Sequence, residues 1–292
     1  MDLKPVERVK TISKEDFYNR FFKPEIPVII TDLAQQWPAY KKWTWEYIQE
    51  KVGDQKVGVY NNIKSDAYTP INTADDYMKF RDYIDLVKKG PVELRIFLFN
   101  LFANVPELVQ DFNWPEDLLS GFVKKYPMLF IGGQNSVTHI HYDIDMSHIL
   151  HTQFLGRKKV LLFPYHEKEK LYHMPFTVLS AINFAHYDKD LDEEKYSALK
   201  KAQGYETILS HGETLFMPGG FFHDMEYIEP GMAMSLRVIQ KSLLGKLDGA
   251  YKIFLMRGID TLLKKTIPLA WHNWKTHRAY TNAAKYETSR KG

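Results

Sequence analysis

Three histidines and two aspartates fall within ten positions, from His139 to His148, in the stretch NSVTHIHYDIDMSH. Imidazoles and carboxylates resist dehydration, so this density is costly in an ordinary half-buried strand. Side chains alternate along a strand, which would place His139, His141, Asp143 and Asp145 on one face. A divalent metal is the simplest partner for such a face. A further histidine, His223, follows a Pro-Gly-Gly bend in HGETLFMPGGFFHDM, among Leu215, Phe216, Phe221 and Phe222. An imidazole in that apolar setting also demands a partner. Two histidines and one carboxylate form the facial triad of non-haem Fe(II), whose open positions admit oxygen and a cosubstrate. The competing reading is a polar cluster of purely structural role.

The elements that must position these groups divide into three regions. Residues 1–125 mix helical and extended signals. ISKEDFYNRFF opens on Ser13 as a helix cap, IPVIITDL is a short buried strand, and KKWTWEYIQEKVG is a helix ending at Gly53. TADDYMKFRDYIDLVKKG, with early acids, late lysines and Gly90 behind them, predicts another helix. Residues 126–240 carry short apolar runs: PMLFIGG, HILHTQFL, KKVLLFPY, ETLFMP and MAMSLRVI. Their punctuation by Gly and Pro predicts a sandwich or barrel. Gly156 and Arg157 read as a hairpin turn. The polar insert 179–204 interrupts the strands and is expected to be partly helical, a candidate lid. Residues 241–292 are helical by the spacing of Leu255, Ile259, Leu262 and Leu263, with Pro268 as a stop.

Cysteine is absent, so a metal here would rest on His, Asp or Glu, and disulfides are excluded. Hydrophobic residues at 45% and charged ones at 26% are the proportions of a globular protein. No apolar run approaches the ~20 residues of a membrane span, and MDLKPVERVKTISKEDF lacks the apolar core of a secretory signal. A cytoplasmic location is expected. The stretch from Ile239 onward holds eleven Lys or Arg against three acids. That basic end reads as a solvated helical face, with nucleic acid as the rival partner because Trp271, Trp274 and Tyr280 interleave with Lys275 and Arg278.

Two motifs then align with known patterns. Gly133, His139 and His141 match the start of the first cupin motif, and Gly212, Pro218, Gly220 and His223 match the second. More specifically, Leu129 to Pro164 resembles the JmjC-type, cupin-like hydroxylases, especially the asparaginyl hydroxylases of hypoxia signalling. LFIGGQNSVTHIHYD is similar to their H-x-D strand, QFLGRKKVLLFP to the strand carrying their cosubstrate lysine, and PVIITDLAQQWPAYKKW to their N-terminal signature. The general cupin reading takes His139, His141, an acid near Asp145 and His223. The JmjC-type reading takes His141, Asp143 and His223 as metal ligands. The second is preferred, because the cupin motif needs a glycine seven residues beyond its acid, where Asp145 has Thr152.

The resemblance implies a mainly β fold, a double-stranded β-helix or jelly roll, with a mixed α/β N-terminal region packed on it and C-terminal helices. It implies Fe(II) and 2-oxoglutarate, and an oxygenase that hydroxylates a substrate carbon while releasing succinate and carbon dioxide. Lys158 is the implied anchor for the far carboxylate of 2-oxoglutarate, although strand alternation alone does not separate it from Lys159. Thr138 is the implied hydroxyl beside it. Phe97 stands where a cosubstrate-binding tyrosine is expected, and Arg237 where an asparagine lies near the cosubstrate. A protein or peptide is the foremost substrate class, with a small molecule or tRNA behind it. The C-terminal helices are similar in position to the dimerisation helices of those hydroxylases, which implies either a homodimer seamed by Leu255, Ile259, Leu262 and Leu263 or helices packed back on their own barrel. Two rival classes stay open: a cupin metalloenzyme of another reaction type, and a non-catalytic interaction module.

Overall fold

The computed structural model describes residues 1–63, 73–185, 195–239 and 243–287. The extended runs form fourteen strands among these residues. Those from the N-terminal region are β1 (Asp2–Pro5), β2 (Glu7–Val9), β3 (Val28–Ile30), β4 (Lys56–Asn61), β5 (Asp76–Lys79) and β6 (Leu94–Asn100). The central region supplies β7 (Met128–Gly132), β8 (Val137–His141), β9 (His148–Leu155) and β10 (Lys158–Phe163). It continues with β11 (Gln203–Leu209), β12 (Thr214–Met217), β13 (Phe222–Tyr227) and β14 (Gly231–Val238).

Two sheets result. The smaller runs β1-β11-β10-β13-β8, the larger β2-β3-β12-β9-β14-β7-β6-β4-β5. Ile29, Ile149, Leu215 and Met217 of the large sheet meet Val160, Leu162, Leu209 and Met225 of the small one in a buried layer. Apolar side chains on alternating positions of both sheets account for this face-to-face packing. Two facing sheets with this strand order make the jelly roll. The outer face of the large sheet carries the N-terminal aromatic core, including Phe17, Trp43, Phe80 and Phe154. The outer face of the small sheet packs Tyr142, Phe163 and Phe222 near Ala279 and Ala283 of the last helix.

Several local expectations change. Gly156 and Arg157 do not close a hairpin: β9 pairs with β12 and β14, whereas β10 pairs with β11 and β13. The two-residue link instead carries the chain from one sheet to the other. Gly156 takes φ +67°, and a Cβ there would meet the Pro230 carbonyl oxygen at 2.1 Å. The strand carrying His139 and His141 ends at His141, so Asp143 and Asp145 lie in the following turn rather than on an alternating face. TADDYMKFRDYIDLVKKG begins as β5 and becomes helical only over Phe80–Lys89, because Asp76 to Lys79 pair with β4. Strands from residues 1–125 continue the large sheet, pairing β3 with β12 and β6 with β7.

Pro268 ends one helix, Arg257–Thr266, by opening the next, Pro268–Ala284, where its missing N–H costs nothing. Of the insert, the described part holds a short 3-10 turn, Ser197–Lys201, with Ala198 and Leu199 buried; residues 186–194 of the lid candidate lie outside the described residues. Its first residue, Leu179, bridges to His141.

Candidate metal and cosubstrate site

The register between β8 and β13 sets His141 opposite His223, and the two rings lie 4.2 Å apart between centroids. Each ring is fixed by its own backbone. Nδ1 of His141 donates to the His139 carbonyl at 2.8 Å, and Nδ1 of His223 to the Phe221 carbonyl at 3.1 Å. A carbonyl only accepts, so both Nδ1 atoms carry the proton and both Nε2 lone pairs remain for a metal. Burial, then the neighbouring His223, pushes His141 down to about 3. Burial lowers His223 as well. Neutral imidazole, the form that ligates, is therefore the resting state.

His223 reaches this place through Gly220, which takes φ +78° and whose missing Cβ would strike the Met146 methyl at 2.3 Å. Asp143 sits in the turn after β8, where the Met146 N–H donates to its carbonyl at 3.0 Å. It lines the same small cavity as His223, together with Ser147, Met217 and Gly220. Burial alone would raise its pKa, but Arg237, His223 and His141 outweigh this and hold it at about 2. The Asp143 carboxylate leans toward Arg237, with Nη2 donating to Oδ1 at 2.9 Å. Among the described residues no three His, Asp or Glu side chains converge as a finished metal cage. The donor chemistry still fits a divalent ion: two neutral rings with open Nε2 atoms and one ionised carboxylate with a spare oxygen.

The extra groups of the general cupin set are engaged elsewhere. His139 brings Nε2 to the Asn62 carbonyl at 2.7 Å. Asp145 accepts from Arg237 Nη1 at 3.1 Å. Arg237, expected beside the cosubstrate, is thus tied to two carboxylates.

A second cluster lies between the sheets. Lys158 is 1% exposed, beside Val160 and Leu162 of the inter-sheet core, whereas Lys159 is half-buried. Packing therefore separates the two lysines that alternation could not. Lys158 Nζ donates to His151 Nε2 at 3.0 Å and to the Tyr227 hydroxyl at 3.1 Å. His151 in turn shares a 2.7 Å hydrogen bond with Ser235 Oγ through Nδ1. Burial pushes Lys158 down to about 7. A buried ammonium with uncharged partners has the chemistry to take an anion, because a carboxylate would restore its proton affinity.

Thr138 is half-buried on β8 opposite Met225. Phe97 packs on Phe130, and Phe130 on His151, so it stands one ring behind the cluster. The tyrosine at Lys158 is Tyr227 from β13. His151, Tyr227 and Ser235 escaped the sequence reading. A histidine centred in HILHTQFL, seven residues before Lys158, was the one available signal.

Facing sheets, a histidine pair with a nearby carboxylate, and a buried lysine between the sheets are the arrangement of a cupin-like protein. The model of the cupin-like domain family matches residues 14–236, and the chain belongs to that family, in its JmjC-type branch. It is 26% identical over 230 residues to lysine-specific demethylase 8 of Xenopus tropicalis, covering 76% of this chain and 50% of that protein. To arginine-specific demethylase JMJ22 of Arabidopsis thaliana it is 28% identical over 258 residues, 82% of this chain and 47% of the relative. To Jumonji C domain-containing protein 5 of Drosophila melanogaster it is 26% identical over 240 residues, 76% and 57%. The chain spans about half the length of these relatives. JmjC-type homologues use Fe(II) and 2-oxoglutarate.

Proposed function

We propose that this chain is an Fe(II)- and 2-oxoglutarate-dependent oxygenase that hydroxylates a carbon of a protein side chain, releasing succinate and carbon dioxide. The observation that carries the reading is the His141–His223 pair, each ring locked with Nδ1 protonated and Nε2 open, beside ionised Asp143. His141, Asp143 and His223 would hold the iron. Iron bound there supplies the oxidative decarboxylation of the keto acid and the hydroxylation of the substrate carbon. Lys158, with Tyr227 and His151 around it, binds the far carboxylate of 2-oxoglutarate and orients the keto end toward the histidines. The inter-sheet apolar layer excludes water from that path. No side chain is required as a general base.

Relatives named for lysine- and arginine-specific demethylation support a protein side chain as the substrate class. Hydroxylation of an N-methyl carbon and of an ordinary side-chain carbon share the same first step, since the former product loses formaldehyde. The protein acts as a cytoplasmic enzyme; among the described residues no helix is long and apolar enough to cross a membrane. We also read it as a homodimer. Leu255 and Leu262 of the C-terminal helices are 54% and 61% exposed, and Phe254 77%, an apolar surface that a second copy would cover.

Anaerobic addition of Fe(II) and 2-oxoglutarate tests the reading. A weak visible charge-transfer band and succinate release on admitting oxygen are expected, both lost in His223→Ala. A bound metal with no band and no succinate would point to another cupin reaction. Absence of metal binding altogether would leave a non-catalytic module. Light scattering of the intact chain tests the dimer, with Leu255→Glu and Leu262→Glu expected to give monomers.

A further inference from the structure

Arg237 stands on β14 opposite Ile149 of β9, and its guanidinium reaches between two carboxylates. Nη2 donates to Asp143 Oδ1 at 2.9 Å, while Nη1 donates to the two oxygens of Asp145 at 3.1 and 3.2 Å. The arginine side chain is 15% exposed, so these contacts form away from bulk water. Asp145 is itself anchored. Its Oδ1 accepts the Ser147 backbone N–H at 3.2 Å. Its carbonyl lies against Gly249 of the helix Leu243–Ala250, where a Cβ would come within 2.9 Å of that oxygen.

This arrangement has two physical consequences for a metal at His141 and His223. The first is orientation. Asp143 gives Oδ1 to the arginine, and among the described residues its Oδ2 receives no hydrogen bond. The carboxylate is therefore steadied by one oxygen and offers the other as a single donor, the usual work of an outer partner to a metal ligand. The second is charge. A guanidinium beside a dication repels it strongly where water is scarce. Asp145 cancels that charge, so that the negative charge of Asp143 remains for the metal. Without Asp145, both arms of the guanidinium fork are free to close on Asp143 and take Oδ2 as well.

We propose that Arg237 and Asp145 are positioning residues of the metal centre: Arg237 fixes Asp143 by one oxygen, and Asp145 fixes Arg237 and neutralises it. The inference rests on the metal site proposed above and adds two residues that act on it through Asp143.

The test uses Co(II), titrated into the full chain without cosubstrate, with affinity read by calorimetry and ligand geometry by visible absorption. Asp145→Asn keeps the side chain's size and removes its charge. Co(II) affinity is expected to fall by about tenfold or more, with an altered absorption envelope. Arg237→Lys, which lacks the planar fork, shifts both readouts in the same direction. Asp145→Glu restores most of the affinity. Melting curves close to the parent's show that the variants fold, as expected for a position 31% exposed. Unchanged affinity and spectra in Asp145→Asn and Arg237→Lys overturn the proposal. His223→Ala separates this failure from a failure of the metal site: if it leaves Co(II) binding intact, the centre itself is wrong. If it abolishes binding while the other two variants behave as the parent, only the positioning role falls.

Discussion

Lys158 Nζ donates to Nε2 of His151 across 3.0 Å in the layer between the two sheets. The pairing joins a buried cation to a neutral ring, which satisfies a hydrogen bond and leaves the charge uncompensated. Below pH 7, Lys158→Met should therefore stabilise the cosubstrate-free protein, because removing the buried charge outweighs the ~1–3 kcal/mol cost of leaving His151 Nε2 without its donor. The same change should abolish 2-oxoglutarate binding. Thermal melts with and without 2-oxoglutarate check both halves. A variant that melts lower than the parent and keeps the ligand-induced shift contradicts the assignment.

The pH dependence follows from the same group. Burial takes Lys158 from 10.5 when free to about 7 when folded. Between these values the unfolded chain carries a proton that the folded chain has shed, so this group makes stability rise with pH across that window. The gain from Lys158→Met is accordingly largest below pH 7 and fades toward pH 10.5. Affinity for 2-oxoglutarate runs the other way and weakens as pH climbs past about 7, where the free lysine loses its charge. Melting curves and ligand titrations over that range should slope in opposite directions.

Tyr227 supplies the second contact to Lys158, at 3.1 Å. Tyr227→Phe removes one hydrogen bond from the lysine, worth ~0.5–1.5 kcal/mol when Lys158 is neutral and more when it is charged. The KM for 2-oxoglutarate should rise by roughly two- to tenfold with metal affinity unaltered. A change in Co(II) affinity of the same size would show that the two clusters are not separable.

Gly220→Ala probes how His223 is delivered. The position needs φ +78°, and the new methyl would collide with Met146. The backbone conformation alone costs ~1–2 kcal/mol for an L-residue, and the clash adds to it. Loss of metal affinity should exceed what the drop in melting temperature accounts for, because the strain lies three residues from His223. Calorimetry on the folded fraction decides this.

Asp111 is a structural contrast. Its carboxylate takes Lys42 Nζ at 2.7 Å, Tyr47 hydroxyl at 2.9 Å and Trp43 Nε1 at 3.2 Å. Asp111→Ala strands the buried indole N–H and should cost ~2–3 kcal/mol, leaving Co(II) affinity intact. Burial tends to raise this carboxyl, but Lys42, Tyr47 and Trp43 outweigh it and hold it below 3.8. Its contribution is present above pH 3.8 and disappears as pH falls through the folded value. Acid unfolding of the parent should be steeper than that of the variant.

The residues of the proposed site that come from short segments can be picked out in the sequence: His141 and Asp143 lie two apart, Lys158 follows at a fixed step, and the glycines of MPGGFFH precede His223. The β-rich centre was legible from its short apolar runs, because a strand buried on its core face needs little beyond apolar residues and turns. Partners brought together by topology were not. Arg237 meets Asp143 across 94 positions, and Tyr227 meets Lys158 across 69; no local pattern encodes either approach. Alternation misled at Asp143 and Asp145 because β8 stops at His141, and the turn signal misled at Gly156 because a two-residue link serves a sheet crossing as readily as a hairpin. Phe97 was placed by resemblance, yet the bulge at Leu98, with φ +55°, turns the strand there.

The central region does not own its borders. β12 leans on β3, β7 on β6 and β11 on β1, so three edges of this region are sealed by chain that precedes residue 126. A fragment trimmed to 126–240 would carry three raw backbone rims, each ready to zip onto a neighbour. β3 is in turn flanked by β2, so the smallest piece able to stay dispersed keeps both N-terminal strands, and any fusion or truncation that loosens Val28–Ile30 would bare an edge open to aggregation.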